Sequence, residues 1–317
     1  MGSEMDRLTF MKLVGLGGAV FATGLPGFAE SLGAATAGAK ASDFYFVQLT
    51  DTHWGFEGAK ANPDAAGTLG KAIAAVNALQ PQPDFVIFTG DLTHITDDSV
   101  LRRKRMAEFK QQVGRLHAKQ VRFLPGEHDA SGDKGEAFRE TFGPSRYAFT
   151  HKGIHFIVLD NVSQEGSIIG EAQLAWFAGE LAQVPKDAPL VIFTHRPLFD
   201  LYPDWDWTTT DGQKALDLLK DHRFVTVFYG HIHQEHHHAT GHIQHHSAMS
   251  LIFPLPAPGS TPKRAPVPWD PAHPYLGLGF RQVHTQPAQQ RVGQGEGLLV
   301  LSEKALPESL KGAGTPA

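Results

Sequence analysis

The sequence predicts an α/β protein built on a mainly parallel sheet with helices on its faces. Apolar segments of four to six residues alternate with longer segments in which apolar residues recur at helical spacing. Five of the short segments are followed within three residues by Asp, Glu or His. Because ligands of open α/β sheets bind beyond the carboxyl ends of the strands, these residues predict a chemical site along one sheet edge.

The composition excludes several classes of site. The chain has 317 residues, 41% of them hydrophobic, which is enough for a substantial core. It contains no Cys, so disulfides, thiolate metal sites and a cysteine nucleophile are excluded, and a metal would need nitrogen and oxygen ligands. A net charge of -5 gives no basic field, so we expect a small substrate and no bulk nucleic-acid binding.

Residues 1–41 predict an export signal and leader. Arg7 and Lys12 precede a weakly apolar, Gly-rich segment at residues 13–28, and small residues at 37–39 suit cleavage. Residues 6–12 resemble a twin-arginine signal, with Leu8 where the second arginine belongs. We therefore expect export to a bacterial periplasm, with a tail or a short anchor helix as the alternative. A stable membrane span is not expected, because the apolar part is shorter than about 20 residues and contains Gly and Pro.

One domain is expected over residues 42–302. In its first half, helices at residues 65–79 and 100–116 separate strands at residues 44–49, 85–88 and 121–124.

The second half of the domain has more antiparallel character. It contains a hairpin around residues 151–153, a helix at 171–181, strands at 190–193 and 224–229, and a last short strand at 298–301. Two segments, residues 201–211 and 254–274, are predicted to be irregular loops beside the site, and residues 303–317 a polar tail.

The strand-end residues suit a two-metal site. Side chains two positions apart in an extended segment point the same way, so Asp51 and His53 could bind one ion, and His231 and His233 could face a common centre. Asp91 follows Gly90 in a tight turn that could present its two oxygens to two ions. Two ions about 3.5 to 4 Å apart can hold a phosphoryl group and generate a hydroxide nucleophile at neutral pH.

Five motifs carry a family resemblance. They are Asp51-x-His53, Gly90-Asp91, Gly126-x-His128-Asp129, Thr194-His195 and Gly230-His231-x-His233. In this order they resemble the calcineurin-like metallophosphoesterases over residues 44–244. The resemblance implies a four-layer α/β/β/α sandwich with mixed sheets, with a dinuclear centre at one sheet edge.

The resemblance also implies roles for individual residues. A first ion, of iron, manganese or zinc, would be held by Asp51, His53, Asp91 and His233. A second would be held by Asp91 as the bridge, Glu127, His195 and His231. The remaining motif residue, His128, would be the general acid or would polarise the phosphate, oriented by Asp129.

Two residues depart from the family pattern. Glu127 stands where the family usually has Asn, which adds a negative charge at the second metal and would lower its Lewis acidity. His94 stands where purple acid phosphatases have a metal-binding tyrosine, which argues against that branch. We expect His94 to assist His128 in contacting the phosphate.

Three further sequence features each allow two interpretations. Trp205 and Trp207 could stack on a substrate base or sugar, or could belong to a packed lid loop. The histidines between 236 and 246 could form an extra metal-binding patch, but a solvated strand pair is favoured. The Pro-rich segment at residues 254–274 is interpreted as a structural cover, with substrate contact by Arg264 or His273 as the alternative.

The expected reaction is attack of a metal-bridging hydroxide on a phosphoester. The order and the residues of the motifs most resemble those of the cyclic-nucleotide and glycerophosphodiester phosphodiesterases. A phosphodiester substrate is therefore favoured, with cyclic nucleotides among the candidates. A broad phosphomonoesterase is the alternative. A third hypothesis is a metal-binding or partner-binding relic slowed by Glu127, in which Glu127→Asn would restore turnover.

Overall fold

The computed structural model describes residues 20–21, 45–285 and 299–305. The helices are α1 (Ala65–Asn77), α2 (Ser99–Val113), α3 (Glu127–Ala130), α4 (Glu136–Phe142), α5 (Glu171–Leu181) and α6 (Gly212–Leu219). The strands are β1 (Val20–Phe21), β2 (Tyr45–Leu49), β3 (Phe85–Thr89), β4 (Val121–Leu124), β5 (Tyr147–His151), β6 (Ile154–Val158), β7 (Pro189–Phe193), β8 (Phe224–Tyr229), β9 (His236–Thr240), β10 (Ile243–Ser247), β11 (Gly279–Thr285) and β12 (Leu299–Ala305).

The described strands form two mixed sheets. One has the order β12-β11-β2-β3-β4, in which β2, β3 and β4 are parallel and β11 is antiparallel to both of its neighbours. The other has the order β1-β9-β10-β8-β7-β6-β5, in which β6, β7, β8 and β10 are parallel. Within each sheet the parallel strands all end at one edge, which brings their following residues together.

Aromatic side chains fill the space between the sheets. Phe46 of β2 meets Phe156, Phe193 and Phe228 of the second sheet edge to face, with ring centroids 5.6 to 5.9 Å apart. Such edge-to-face contacts are the preferred geometry of aromatic pairs. This central layer is buried on both sides, so it fixes the position of one sheet against the other.

Helices cover the outer face of each sheet. Leu69 and Ile73 of α1 and Phe109 of α2 pack on the first sheet, and Phe177 of α5 and Leu216 of α6 pack on the second. The resulting order is helix, sheet, sheet, helix, which confirms the expected four-layer sandwich.

Most of the predicted elements are present with shifted ends. Helices α4 and α6 were not predicted, because seven and eight residues make only two turns and give little periodicity. The stretch after β4 was interpreted as a strand-end loop, whereas Glu127–Ala130 forms one helical turn. Strand β12 continues to Ala305, beyond the expected domain boundary at 302.

The predicted export signal lies outside the described residues except for β1, which pairs antiparallel with β9. The predicted tail lies outside them from residue 306 onward. Within the part of the chain that the structure describes, none of the helices has the length and apolar character needed to cross a bilayer.

Candidate metal centre

The strand-end residues have unusual backbone conformations. Five non-glycine residues of the motifs have left-handed φ values: Asp51 (53°), His53 (41°), Asp91 (49°), His231 (66°) and His233 (54°). Left-handed φ is uncommon for residues with a Cβ and persists only where the surrounding structure enforces it. Asp51 and His53 do converge, as expected. The expected cause, an extended chain, was wrong, because tight turns bring the two residues together.

Backbone hydrogen bonds hold these turns against each other. The amide of Asp51 donates to the carbonyl of Gly90 at 3.1 Å, and the amide of His53 donates to the carbonyl of Asp91 at 2.9 Å. Glycine is required where the turns touch, because a Cβ on Gly126 would lie 2.0 Å from Oδ1 of Asp91. The motif glycines thus permit a close approach of three loops.

A first cluster of ligand atoms comes from Asp51, His53 and His233, all buried. Nε2 of His53 lies 3.2 Å from Nε2 of His233, and Nε2 of His233 lies 3.4 Å from Oδ1 of Asp51. Oδ2 of Asp91 lies 3.4 Å from Nε2 of His53. These four residues are the predicted ligands of the first ion, and the structure brings them together.

A second cluster is formed by Asp91, Glu127, His195 and His231. Oε1 of Glu127 lies 2.8 Å from Nδ1 of His231, and Oε2 of Glu127 lies 2.9 Å from Nε2 of His195. Oδ2 of Asp91 is 3.5 Å from the same nitrogen of His195. Asp91 therefore contacts both clusters, in the position that was predicted for the bridge.

Backbone carbonyls orient three of the histidines. Nδ1 of His195 donates to the carbonyl of Thr89 at 2.8 Å, and Nδ1 of His233 donates to that of Phe253 at 2.7 Å. Nε2 of His231 donates to the carbonyl of Asp206 at 3.0 Å. In each ring the other nitrogen faces the cluster, which is the arrangement of a metal-ligating histidine.

Charges within the site shift the pKa values strongly. Burial acts to raise the pKa of Glu127, but His231, Arg196 and His195 hold it well below its ordinary range. Burial acts to lower the pKa of His195, but Asp91 and Glu127 raise it well above its ordinary value. Carboxylate and imidazole thus stabilise each other's charged forms, and a cation could replace the proton between them.

The donor set fits divalent or trivalent ions. Oε2 of Glu127, Nε2 of His195 and Nδ1 of His231 are buried and have no hydrogen bond of acceptable geometry. Buried polar atoms of this kind normally have a partner. Imidazole nitrogens and carboxylate oxygens are ligands that iron, manganese and zinc accept, so the clusters are suited to two such ions.

His128 lies at the mouth of the site, but Asp129 does not orient it. The backbone amide of Ile95 donates to Nδ1 of His128 at 3.2 Å, and Nε2 of His128 lies 4.0 Å from Oδ2 of Asp91. The carboxylate of Asp129 instead accepts backbone amides of Leu92, Thr93 and Gly126, each at 2.9 Å. Burial and the charge of Asp91 raise the pKa of Asp129 to about 6.

The expected role of Asp129 as orienter of His128 is thus wrong in this geometry. Its carboxylate clamps the turn after β3 to the turn after β4, which makes it a structural support of the site. The amide of Ile95 takes the orienting role. No residue type signals this role, since any residue but proline offers an amide.

His94 lies beside the predicted acid. Its ring centroid is 5.1 Å from that of His128, and its Nδ1 lies 3.4 Å from Nδ1 of His53. Burial, His128 and Arg105 lower the pKa of His94 to about 4. The structure therefore places His94 where it could contact a phosphate together with His128.

The two tryptophans are packed side chains. Trp207 is fully buried and Trp205 is 7% exposed, and they meet edge to face at 5.3 Å. Stacking of Trp207 on a substrate does not fit this burial, so the alternative of a packed loop is the better one for that residue. Trp205 still lines a shallow surface cleft with Tyr202 and Arg264.

The histidines between 236 and 246 lie mainly on a strand pair, β9 and β10. The prediction of a strand pair is confirmed, but the prediction that it is solvated was wrong, since His236 and His245 are fully buried. Among the described residues this strand pair contributes no group of three or more potential ligands, whereas the strand-end residues do.

Two residues of the site were missed from the sequence. Arg196 and Asp206 form an ion pair with 2.6 Å between Nη1 and Oδ2, and Nη2 of Arg196 lies 3.6 Å from Oε2 of Glu127. A charged residue directly after the strand-end His195 was the available signal for Arg196. Asp206 is reached only through the folding of a loop.

A two-sheet sandwich with a shared carboxylate between two histidine-rich ligand clusters defines the class of dimetal phosphoester hydrolases. Residues 44–235 match the family model for the calcineurin-like phosphoesterases. The chain belongs to this family and is a hydrolase of phosphoesters.

Known proteins of this kind resemble the chain. A probable cyclic nucleotide phosphodiesterase from Rhodopseudomonas palustris is 28% identical over 68% of this chain and 83% of its own. A serine/threonine-protein phosphatase from Mus musculus is 26% identical over 60% of this chain and 70% of its own. The crystal structure of a dimetal phosphatase from Danio rerio superimposes with a TM-score of 0.55 at 13% identity, over 82% of this chain and 98% of its own. The last similarity concerns the fold alone.

Proposed function

We propose that the protein hydrolyses phosphodiesters with the help of two metal ions. The first ion would be held by Asp51, His53, Asp91 and His233. The second would be held by Asp91, Glu127, His195 and His231. The observation that carries the proposal is the position of Asp91, whose Oδ2 lies 3.4 Å from His53 of one cluster and 3.5 Å from His195 of the other. Ions bound there would supply a hydroxide nucleophile at neutral pH and neutralise charge on the phosphoryl oxygens.

The chain's own residues supply a hydrogen-bond donor. Because Nδ1 of His128 accepts the amide of Ile95, the proton of the ring sits on Nε2, on the side of Asp91. From there it can donate a hydrogen bond to a phosphoryl oxygen or to the leaving oxygen, where negative charge develops. His94 would support the same oxygen from the neighbouring position.

Two observations favour a diester. The relative from Rhodopseudomonas palustris is named a probable cyclic nucleotide phosphodiesterase, so cyclic nucleotides are candidate substrates. Beside His128, Ile95 is 44% exposed, and Phe56 packs edge to face on His94 with 5.1 Å between ring centroids. An apolar wall of this kind suits an esterified organic group.

A phosphomonoesterase is the second candidate. It is supported by the similarity to a serine/threonine-protein phosphatase.

Hydrolysis of two model esters would decide between these candidates. The protein is loaded separately with Mn²⁺, Zn²⁺ and iron, its metal content is measured, and turnover of bis-p-nitrophenyl phosphate and p-nitrophenyl phosphate is followed, with cyclic nucleotides as further substrates. We expect two ions per chain and a higher kcat/KM for the diester. A higher kcat/KM for the monoester would favour the second candidate. Two bound ions without turnover of either ester would favour a relic, and no metal under any loading condition would reject both enzyme functions.

Replacement of His128 tests the hydrogen-bond donor. We expect His128→Asn to lower kcat by about 10² to 10³-fold, as loss of a preorganised donor to a developing oxyanion does, and more for an alkyl than for a nitrophenyl leaving group. His117→Asn is a matched control on an exposed histidine. Equal losses for both leaving groups would assign His128 to phosphate binding. A parallel His94→Ala variant with unchanged kcat/KM would remove His94 from the site.

Export of the protein through residues 1–41 remains a second proposal, supported by the arrangement of charge, apolar residues and small residues in that segment. Mass spectrometry of the mature protein from a periplasmic extract tests it. An intact amino terminus confined to the cytoplasmic fraction would contradict it.

A further inference from the structure

A buried, positively charged arginine side chain, which cannot be a metal ligand, lies beside the second ligand cluster. Arg196 is 4% exposed, and its Nη2 lies 3.6 Å from Oε2 of Glu127. A buried charge is costly unless it is paired. Arg196 is paired twice, with Glu127 inside the site and with Asp206 at its rim.

The geometry leaves Glu127 available as a ligand. At 3.6 Å the contact to Arg196 is too long for a hydrogen bond, whereas the oxygens of Glu127 approach His231 and His195 at 2.8 and 2.9 Å. Arg196 therefore offsets the charge of the carboxylate without occupying the lone pairs that face the cluster.

Asp206 fixes this arrangement from outside. Its carbonyl accepts Nη1 of Arg196 at 2.8 Å and Nε2 of His231 at 3.0 Å, and its carboxylate accepts the same Nη1 at 2.6 Å. Asp206 has a left-handed φ of 64° after the short 3₁₀ turn Pro203–Trp205. One loop residue thus positions both the cation and a histidine of the second cluster.

We infer that Arg196, held by Asp206, is a positioning residue that compensates Glu127, so that the second cluster has the net charge that a neutral amide ligand would give. The formal charges of Asp91, Glu127 and Arg196 inside the site add to one negative charge, the same as Asp91 with an asparagine and no arginine, whereas Asp206 lies at the rim with its side chain 52% exposed and is screened by solvent. This inference rests on the proposed dinuclear site.

A consequence distinguishes this inference from the expectation that Glu127 impairs the enzyme. Replacing Glu127 alone would remove the carboxylate between the guanidinium of Arg196 and the cation site, and would leave Arg196 with only its partner at the rim, Asp206. Glu127→Asn should therefore weaken metal binding at the second site, although it restores the usual residue of the family. The loss should be recovered when the cation is removed as well.

A double-mutant cycle tests the coupling. Affinity of the second site for Zn²⁺ and for Mn²⁺ is measured by competition with a chelator in the wild type, Glu127→Asn, Arg196→Gln and the double variant. We expect each single change to weaken binding by about 10 to 100-fold, the range seen when residues supporting metal ligands are removed. The double variant should bind more tightly than Glu127→Asn alone.

Controls separate the inference from its alternatives. Arg103→Gln removes an exposed arginine that pairs with Glu140 at 2.7 Å, and it should leave metal binding unchanged. Arg196→Lys keeps the charge but loses the planar guanidinium with its paired donors, and it should bind metal better than Arg196→Gln. Thermal unfolding of the metal-free variants identifies any that fail to fold, in which case the lysine variant carries the comparison.

Two results would overturn the inference. Additive losses in the double variant would show that Arg196 and Glu127 act independently. An Arg196→Gln variant with unchanged metal affinity but a raised KM would make Arg196 a substrate contact. Because affinity is read without turnover, the coupling can be measured even if neither model ester is hydrolysed, and failure of the coupling in an active enzyme would leave the proposed function standing.

Discussion

Two histidine-rich regions of this molecule differ in what their histidines can do. In the metal centre, histidines arrive from separate strand ends and lie within 3.5 Å of carboxylates. In the strand pair β9 and β10, which we call the histidine hairpin, histidines follow one another on regular strands and contact mainly each other and aromatic rings. Histidine content alone does not distinguish the two regions.

The difference lies in the backbone and in the second nitrogen of each ring. In the metal centre, His195, His231 and His233 bond one nitrogen to a backbone carbonyl and direct the other inward. In the hairpin, His245 is fully buried, and neither of its ring nitrogens has a hydrogen-bond partner. The strand-end histidines therefore combine an oriented ring with a neighbouring carboxylate, whereas the nitrogens of His245 have no hydrogen-bond partner that would orient them.

The largest effect is expected from Asp91→Asn. Asp91 contacts both clusters, so this change should remove the shared ligand charge and lower kcat/KM by at least about 10³-fold, since it removes electrostatic and metal support together. Glu235→Gln, at the only carboxylate that bonds a hairpin histidine among the described contacts, is the matched control. Comparable losses in the two variants would contradict the distinction between the regions.

A pair of matched histidine variants sharpens the comparison. His195→Leu should weaken metal binding by at least about 10-fold because it removes a ligand with an oriented ring. His245→Leu should leave metal binding and kcat unchanged and raise the free energy of unfolding by about 1 to 3 kcal/mol, because it removes two buried, unbonded nitrogens. Loss of metal in the second variant would show that the hairpin takes part in the site.

Asp129→Asn tests the structural clamp. The amide would place a donor against amides of Leu92, Thr93 or Gly126, so we expect a loss of about 1 to 3 kcal/mol in the free energy of unfolding. The pH dependence of kcat should keep its shape, because Asp129 does not contact His128. A shift of the acidic or basic side of the kcat profile along the pH axis would show instead that Asp129 orients His128.

A last effect is a change in the pH dependence of stability, which is gradual because it is spread over several pH units. Burial, with His238 and His236 nearby, lowers the pKa of His245 to about 3. Its unfolded pKa is near 6.5, so between about pH 6.5 and 3 the unfolded chain binds a proton that the folded chain does not, and stability falls on acidification by up to about 1.4 kcal/mol per pH unit. Urea titrations across this range should give a shallower slope for His245→Leu than for the wild type, and equal slopes would contradict this account.

The sequence predicted the strands and the convergence of the residues at their ends because both follow short-range rules. An apolar run that ends in Asp or His is visible without coordinates, and parallel strands must end at one edge. It predicted convergence of Asp51 and His53 for the wrong reason, since left-handed turns depend on contacts with Gly90 and Asp91 from another strand.

Interactions between distant segments could not be predicted. The link from Arg196 to Asp206 and His231 depends on how a loop folds back over the second sheet, and no local pattern encodes it. The burial of His245 depends on Phe199 from another segment, whose ring centroid lies 5.0 Å away.

The distribution of the ligands over the two sheets has a consequence for the whole fold. Asp51, Asp91 and Glu127 follow strands of one sheet, whereas His195 and His231 follow strands of the other. An ion held between them would act as a cross-link from sheet to sheet at the edge of the sandwich where these strands end. Metal loading would then connect the two sheets. Removal of the metal by a chelator would therefore lower the stability of the aromatic interface between the sheets as well as that of the site.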